Sequence, residues 1–135
     1  MRNFAFILVF IIFNLFNLSA KSQIFKNYED PLQFKSRIIN LDTIKSDTAI
    51  KKTFNFKNIG KDTIKLEGVD KSCTCTDIII SSKTKKLMPG KQGKVTMIVN
   101  LNNKKGKFME WGVIIANTKQ KYYKISLRGI ISNDK

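Results

Sequence analysis

Ile50-Lys51-Lys52-Thr53-Phe54-Asn55-Phe56-Lys57 places Ile50, Phe54 and Phe56 on one side of the chain and Lys51, Thr53, Asn55 and Lys57 on the other. A period of two is that of a strand with one buried face. Residues 58–62, Asn-Ile-Gly-Lys-Asp, read as a turn, and 63–67 resume the alternation with Ile64 and Leu66 inward. The expectation for 50–67 is therefore a β-hairpin.

Working outward, the same period recurs. Residues 77–82 carry Ile78, Ile79 and Ile80, a β-branched run of strand length, before Met88-Pro89-Gly90 breaks the chain. Proline there presets one dihedral and glycine admits the left-handed region of a type II turn. Val95, Met97, Val99 and Leu101 share one face, and 102–106 form a polar turn. Met109, Trp111, Val113 and Ile115 are expected to be the inward face of the next strand, with Trp111 in the core. After a turn at 117–120, Tyr123, Ile125 and Leu127 oppose Tyr122, Lys124, Ser126 and Arg128. Near the start, 32–39 and Ile44 add one or two short strands. No amphipathic helical pattern is visible. About seven strands separated by turns predict an all-β fold, an immunoglobulin-like antiparallel β-sandwich.

The N-terminal stretch reads as a targeting signal. Met1-Arg2-Asn3 is a positive start, 4–13 are apolar, and the run weakens through Asn14 and Asn17 before turning polar. A membrane-spanning helix needs about 20 predominantly apolar residues, so a cleaved signal is favoured over an anchor. Ala20-Lys21-Ser22 has the small residues a signal peptidase reads, which gives a signal peptide at 1–22, with cleavage after Ala20 as the alternative. The remaining chain divides into a lead-in with the first strand at 23–43 and the sandwich at 44–135, and is expected in the periplasm or secreted.

Charge is lopsided, with 25 Lys+Arg against 10 Asp+Glu and a formal net charge of +15. Such a chain attracts polyanions. The lysines are nevertheless spread over nearly every segment, as the solvent faces of strands require, and lysine on edge strands discourages aggregation.

Ser72-Cys73-Thr74-Cys75-Thr76 holds the only two cysteines. In an extended strand their α-carbons would stand about 6.6 Å apart, near the upper limit of roughly 6.8 Å for a disulfide, so a bridge requires a local turn. Three readings stay open: a structural pair shaping a loop, a thiol-redox pair, or a soft-metal site. The redox reading lacks a Cys-x-x-Cys motif and a histidine, with Lys71 the one nearby cation. Zinc wants four ligands, and the chain has no histidine to complete them. Copper(I) accepts two sulfurs, with Met88, Met97 and Met109 as candidate helpers to Cys73 and Cys75.

The order Phe54-Asn55-Phe56-Lys57-Asn58-Ile59-Gly60, then Ile64, Leu66 and Val69, then Ser72-Cys73-Thr74-Cys75-Thr76, Pro89-Gly90, Gly93, Gly106, Phe108, Asn117 and Leu127-Arg128-Gly129 resembles the bacterial domain-of-unknown-function 1573 family. The resemblance runs from about Ile44 to Ile130 and implies an exported immunoglobulin-like domain without a settled activity. Thr74 departs from the family's usual glycine, and threonine resists positive φ; a different bend is expected there.

Enzymatic constellations are absent. Without histidine no Ser-His-Asp or Cys-His device can be built, Glu67, Asp70, Asp77 and Glu110 do not cluster in sequence, and no phosphate-binding glycine motif occurs. The expectation is a non-catalytic interaction module of the bacterial envelope or exterior. It has no cofactor and no specific nucleic acid, touches membrane only before signal cleavage, and meets a protein partner as a monomer or weak oligomer. Its functional segment is 72–76 with the loop facing it. The alternatives are a thiol-redox or copper(I)-handling protein and a basic polyanion binder.

Overall fold

The computed structural model describes residues 30–45, 49–102 and 104–132. The expected signal peptide at 1–22 lies outside them. Strands follow as β1 (Leu32–Phe34), β2 (Ile38–Lys45), β3 (Ala49–Asn58), β4 (Ile64–Lys71), β5 (Thr76–Ile80), β6 (Lys86–Leu87), β7 (Gln92–Asn100), β8 (Gly106–Ala116) and β9 (Tyr122–Ser132), with one 3₁₀ turn at Ser82–Thr84. They form two sheets, in the orders β1-β3-β7-β5 and β2-β9-β8-β4-β6. Of the segment expected as a lead-in, residues 30–43 supply β1 and most of β2 to these sheets. Among the described residues no helix is long and apolar enough to cross a membrane.

The core lies between the sheets. Leu32, Phe54, Phe56, Val95, Met97 and Val99 enter from the four-stranded side, and Leu66, Ile114, Tyr123, Ile125, Leu127 and Ile131 from the five-stranded side, all buried. Each such side chain contributes about 1.5–3 kcal/mol through removal from water. β7 is the clearest case: Val95, Met97 and Val99 point inward, and Leu101 beyond its end is also fully buried.

Three expectations are corrected. The hairpin at 50–67 does not form, because β3 pairs with β1 and β7 while β4 pairs with β6 and β8. Residues 59–63 instead cross from one sheet to the other, around a buried Asn58. Its Nδ2 donates to the carbonyls of Asp62 at 2.8 Å and Leu87 at 2.9 Å, and its Oδ1 accepts from Gly60 N at 2.9 Å. Gly60 packs so closely here that a Cβ would lie 2.6 Å from Pro31 Cβ.

The phase of β8 is inverted. Glu110, Gly112, Ile114 and Ala116 face the core, and Met109, Trp111, Val113 and Ile115 face outward. The sheets approach closely at one point of this row: a Cβ on Gly112 would lie 2.0 Å from Ile78 Cδ1 and 3.1 Å from the Asp70 carbonyl oxygen, so that position takes no side chain. Trp111 is therefore not a core residue; it lies half-buried beneath Lys124, whose Nζ is 4.9 Å from the ring.

The five-stranded sheet is mixed rather than antiparallel, since β2 runs parallel to β9. The run from 32 to 45 switches sheets through bends at Lys35 and Arg37, where Lys35 N donates to Asn55 O at 2.9 Å and Ser126 N to Arg37 O at 2.8 Å. On the other sheet it runs alongside β9 in the same direction, from Ile38 opposite Ser126 to Lys45 opposite Ser132.

Candidate functional site

The cysteine segment joins β4 of one sheet to β5 of the other at one end of the sandwich. Ser72 prolongs the β4–β8 ladder: its N donates to Trp111 O at 3.0 Å and its Oγ accepts from Trp111 N at 3.2 Å. Thr76 N then donates to Cys73 O at 3.2 Å, closing a turn around Thr74 and Cys75. That turn brings the Cys73 and Cys75 α-carbons to 5.2 Å, and the two sulfurs are joined as a disulfide. Thr74 sits exposed at the apex with an ordinary negative φ, so this bend does not need glycine. Asn100 N donates to Cys75 O at 2.8 Å and anchors the turn to β7. Both cysteines are half-buried, and Cys75 N donates to Cys73 Sγ at 3.2 Å.

The inverted phase of β8 adds a residue that reading along the chain missed. Glu110 is buried with its Oε2 turned to the cysteine turn, 2.8 Å from Ser72 Oγ, 3.5 Å from Thr76 Oγ1 and 3.4 Å from Cys73 Sγ. Its Oε1 takes the ammonium of Lys104, from the loop between β7 and β8 that faces the cysteines. Burial pushes the Glu110 carboxyl up, but the hydrogen bonds from Lys104, Ser72 and Thr76 and the Lys104 charge outweigh it and hold it below its ordinary value. One sulfur from each cysteine and one Glu110 oxygen lie within 4.8 Å of one another. The candidate methionines are scattered by role: Met97 is in the core, Met88 is exposed in the Pro89-Gly90 turn, and Met109 faces outward on the side of β8 opposite Glu110. In that turn Gly90 has φ +75° and Lys91 N donates to Met88 O at 3.1 Å.

A second feature follows from the same inversion. Facing registers put Met109 beside Arg128, Trp111 beside Ser126, Val113 beside Lys124 and Ile115 beside Tyr122 on the outer face of the five-stranded sheet, with Ile38 next to Ser126. Met109 is 59% exposed, Tyr122 57%, Ile38 51% and Ile130 46%. A shallow groove of about 560 Å³ opens along this face, lined by Asn40, Lys107, Met109, Arg128 and Ile130 among others. Arg128 Nε donates to Asn40 Oδ1 at 2.6 Å, holding the guanidinium across the surface.

Residues 32–131 match the family model described as "Protein of unknown function (DUF1573)". No curated protein matches the chain. Among solved structures, a protein of unknown function from Porphyromonas gingivalis W83 superposes with a TM-score of 0.63 at 13% identity, covering 76% of this chain and 47% of that one. The Vibrio cholerae VesB protease gives 0.59 at 13% identity, covering 76% and 32%. The seventh PapD-like domain of human CEP192 gives 0.52 at 10% identity, covering 78% and 87%. The chain thus spans less than half the length of the first two, and at these identities the likeness is one of fold: an immunoglobulin-like β-sandwich.

Proposed function

The chain belongs to the DUF1573 family, and from that premise we propose that it is an exported, non-catalytic interaction module that docks a protein partner on the outer face of its five-stranded sheet. The observation that carries this reading is the apolar row of Met109, Trp111, Val113, Ile115 and Tyr122 left outside the core, with Lys107, Lys124 and Arg128 among it. A partly exposed apolar row interleaved with charged side chains is suited to docking a partner. These basic side chains, on a chain of net charge +15, select a partner whose surface sets acidic groups beside its apolar ones. The absence of histidine from the chain supports a binding role over general acid–base catalysis.

The test places a photoreactive side chain at Met109, with Ile79 on the four-stranded sheet as control, in the natural host. Expected is one discrete adduct from Met109 alone, suppressed by Lys124→Glu. Equal adducts from both positions, or none, overturn the docking face. Polyphosphate binding that falls steeply with salt and ignores Met109→Asp would instead favour the polyanion binder. Export is read from the same cells, by fractionation and by a mature mass lacking residues 1–22.

A further inference from the structure

We propose that the Cys73–Cys75 turn and Glu110 form a reduction-gated site for a divalent d¹⁰ ion of the zinc class, with two sulfurs and one carboxylate oxygen as ligands and a fourth position open to water. Zinc binds thiolate at about 2.3 Å and carboxylate oxygen at about 2.0–2.2 Å, so a tetrahedral centre sets a sulfur–oxygen edge of about 3.6 Å. Cys73 Sγ already stands 3.4 Å from Glu110 Oε2. The Cys73–carboxylate edge is therefore already close to the required length, and the two sulfurs must part from each other while Cys75 Sγ, within 4.8 Å of the same carboxylate, takes up its own edge.

The surroundings suit the reduced, metal-bound state. Glu110 divides its oxygens: Oε1 is held by Lys104, while Oε2 faces the sulfurs and is oriented by Ser72 and Thr76. Lys104 can keep its oxygen while the other ligates, which is the outer support that metal-binding carboxylates generally have. Cys75 N, 3.2 Å from Cys73 Sγ, stabilises a thiolate there. Two thiolates, one carboxylate, a divalent cation and the Lys104 ammonium sum to zero charge, as a half-buried site requires. Copper(I) would leave a net negative charge and has no use for the hard oxygen.

The steps balance. A dithiol reductant transfers two electrons and two protons to the Cys73–Cys75 disulfide, giving two thiols and the reductant's own disulfide. The ion then binds both sulfurs and displaces both protons to solvent. In the oxidised chain neither sulfur can become a thiolate, and the site is closed.

The experiment titrates the whole chain with zinc alone, oxidised and reduced, by native mass spectrometry and calorimetry. Cadmium then reports thiolate ligation by its charge-transfer absorbance. Expected are one zinc per reduced chain, none per oxidised chain, and the cadmium band only after reduction. Glu110→Gln, which keeps the shape of the side chain, should weaken binding by at least the roughly 10–100-fold typical of losing an outer-shell partner. Cys73→Ser with Cys75→Ser should abolish binding, with the circular dichroism of each variant read alongside. If reduction alone loosens the fold, recovery of the sheet signal on adding zinc supports the site, and failure to recover it overturns the proposal. Equal binding by the oxidised chain, no binding by a folded reduced chain, or unchanged affinity in a folded Glu110→Gln variant overturns it equally.

Discussion

Glu110 Oε2 lies 3.4 Å from Cys73 Sγ across 37 residues of sequence, so the carboxylate of β8 and the turn between β4 and β5 form one unit at the end of the sandwich. Two further links close that unit: Ser72 bonds both the Glu110 carboxylate and the Trp111 amide next to it, and Lys104 neutralises the carboxylate from the facing loop.

Acid should loosen this end of the molecule in a way that depends on Glu110. Its carboxyl is held below the ordinary value of 4.5 in the folded chain. A depressed carboxylate contributes stability that is present above the unfolded value and lost as pH falls through the folded one. Urea unfolding between neutral pH and pH about 3 should therefore show a decline below the ordinary glutamate value that is shallower in Glu110→Gln. At neutral pH the same variant should cost about 1.5–3 kcal/mol, the range for a lost charged hydrogen bond. Parallel pH profiles for the two proteins would refute this role.

Asn58→Ala should be among the more damaging single changes. The side chain is fully buried and satisfies the Asp62 and Leu87 carbonyls and the Gly60 amide. Each buried group left unpaired costs about 1–3 kcal/mol, and not all of them can reach water. A loss of about 3 kcal/mol in chemical unfolding is expected. Asn58→Asp should be no better, since an oxygen would then face two carbonyls. A loss under about 0.5 kcal/mol, the range of an ordinary surface substitution, would show that the corner does not depend on this amide.

Much of this architecture was legible along the chain, and the misreadings have physical causes. β7 was readable because Val95, Met97, Val99 and Leu101 outweigh the opposite face in apolar content. β8 was not, because its outer row of Met109, Trp111, Val113 and Ile115 is the more apolar one, while its inner row includes Glu110, Ala116 and, where the sheets come close, Gly112. Nothing local distinguishes a tight inner row from an outer one. Asn58 announced a turn correctly, yet a turn residue does not say whether the next strand returns to the same sheet or crosses to the other. The cysteine turn stood out by composition alone, whereas Glu110 joins it only through the β4–β8 pairing, a long-range contact that no local pattern encodes.

Two glycines with ordinary φ should respond oppositely to alanine. A Cβ on Gly129 would lie 2.4 Å from the Leu41 carbonyl oxygen and 3.0 Å from Phe108 Cε1, at the point where the β2–β9 register shifts. A backbone oxygen cannot swing aside, so Gly129→Ala should cost about 1–3 kcal/mol by overpacking. Gly68 would meet only Ile115 Cδ1 at 3.8 Å, and there alanine should be neutral or stabilise by a few tenths of a kcal/mol by reducing unfolded-state entropy. Thermal midpoints of the two variants check this, and equal shifts would contradict it.

Trp111 and Phe54 should separate the two faces of the molecule. Phe54 is 1% exposed and packed between the sheets, so Phe54→Ala removes a core ring and should cost about 3–5 kcal/mol. Trp111, although larger, lies on the outer face with Lys124 over its ring. Its truncation loses partial burial and a cation–π contact of about 0.5–1 kcal/mol, leaving no enclosed cavity. Trp111→Ala should thus be the milder change in urea unfolding, yet the more harmful to partner capture by the Met109 cross-linker. If Trp111→Ala instead destabilises the fold as much as Phe54→Ala, the outer face is part of the folding core, and its apolar row no longer argues for a docked partner.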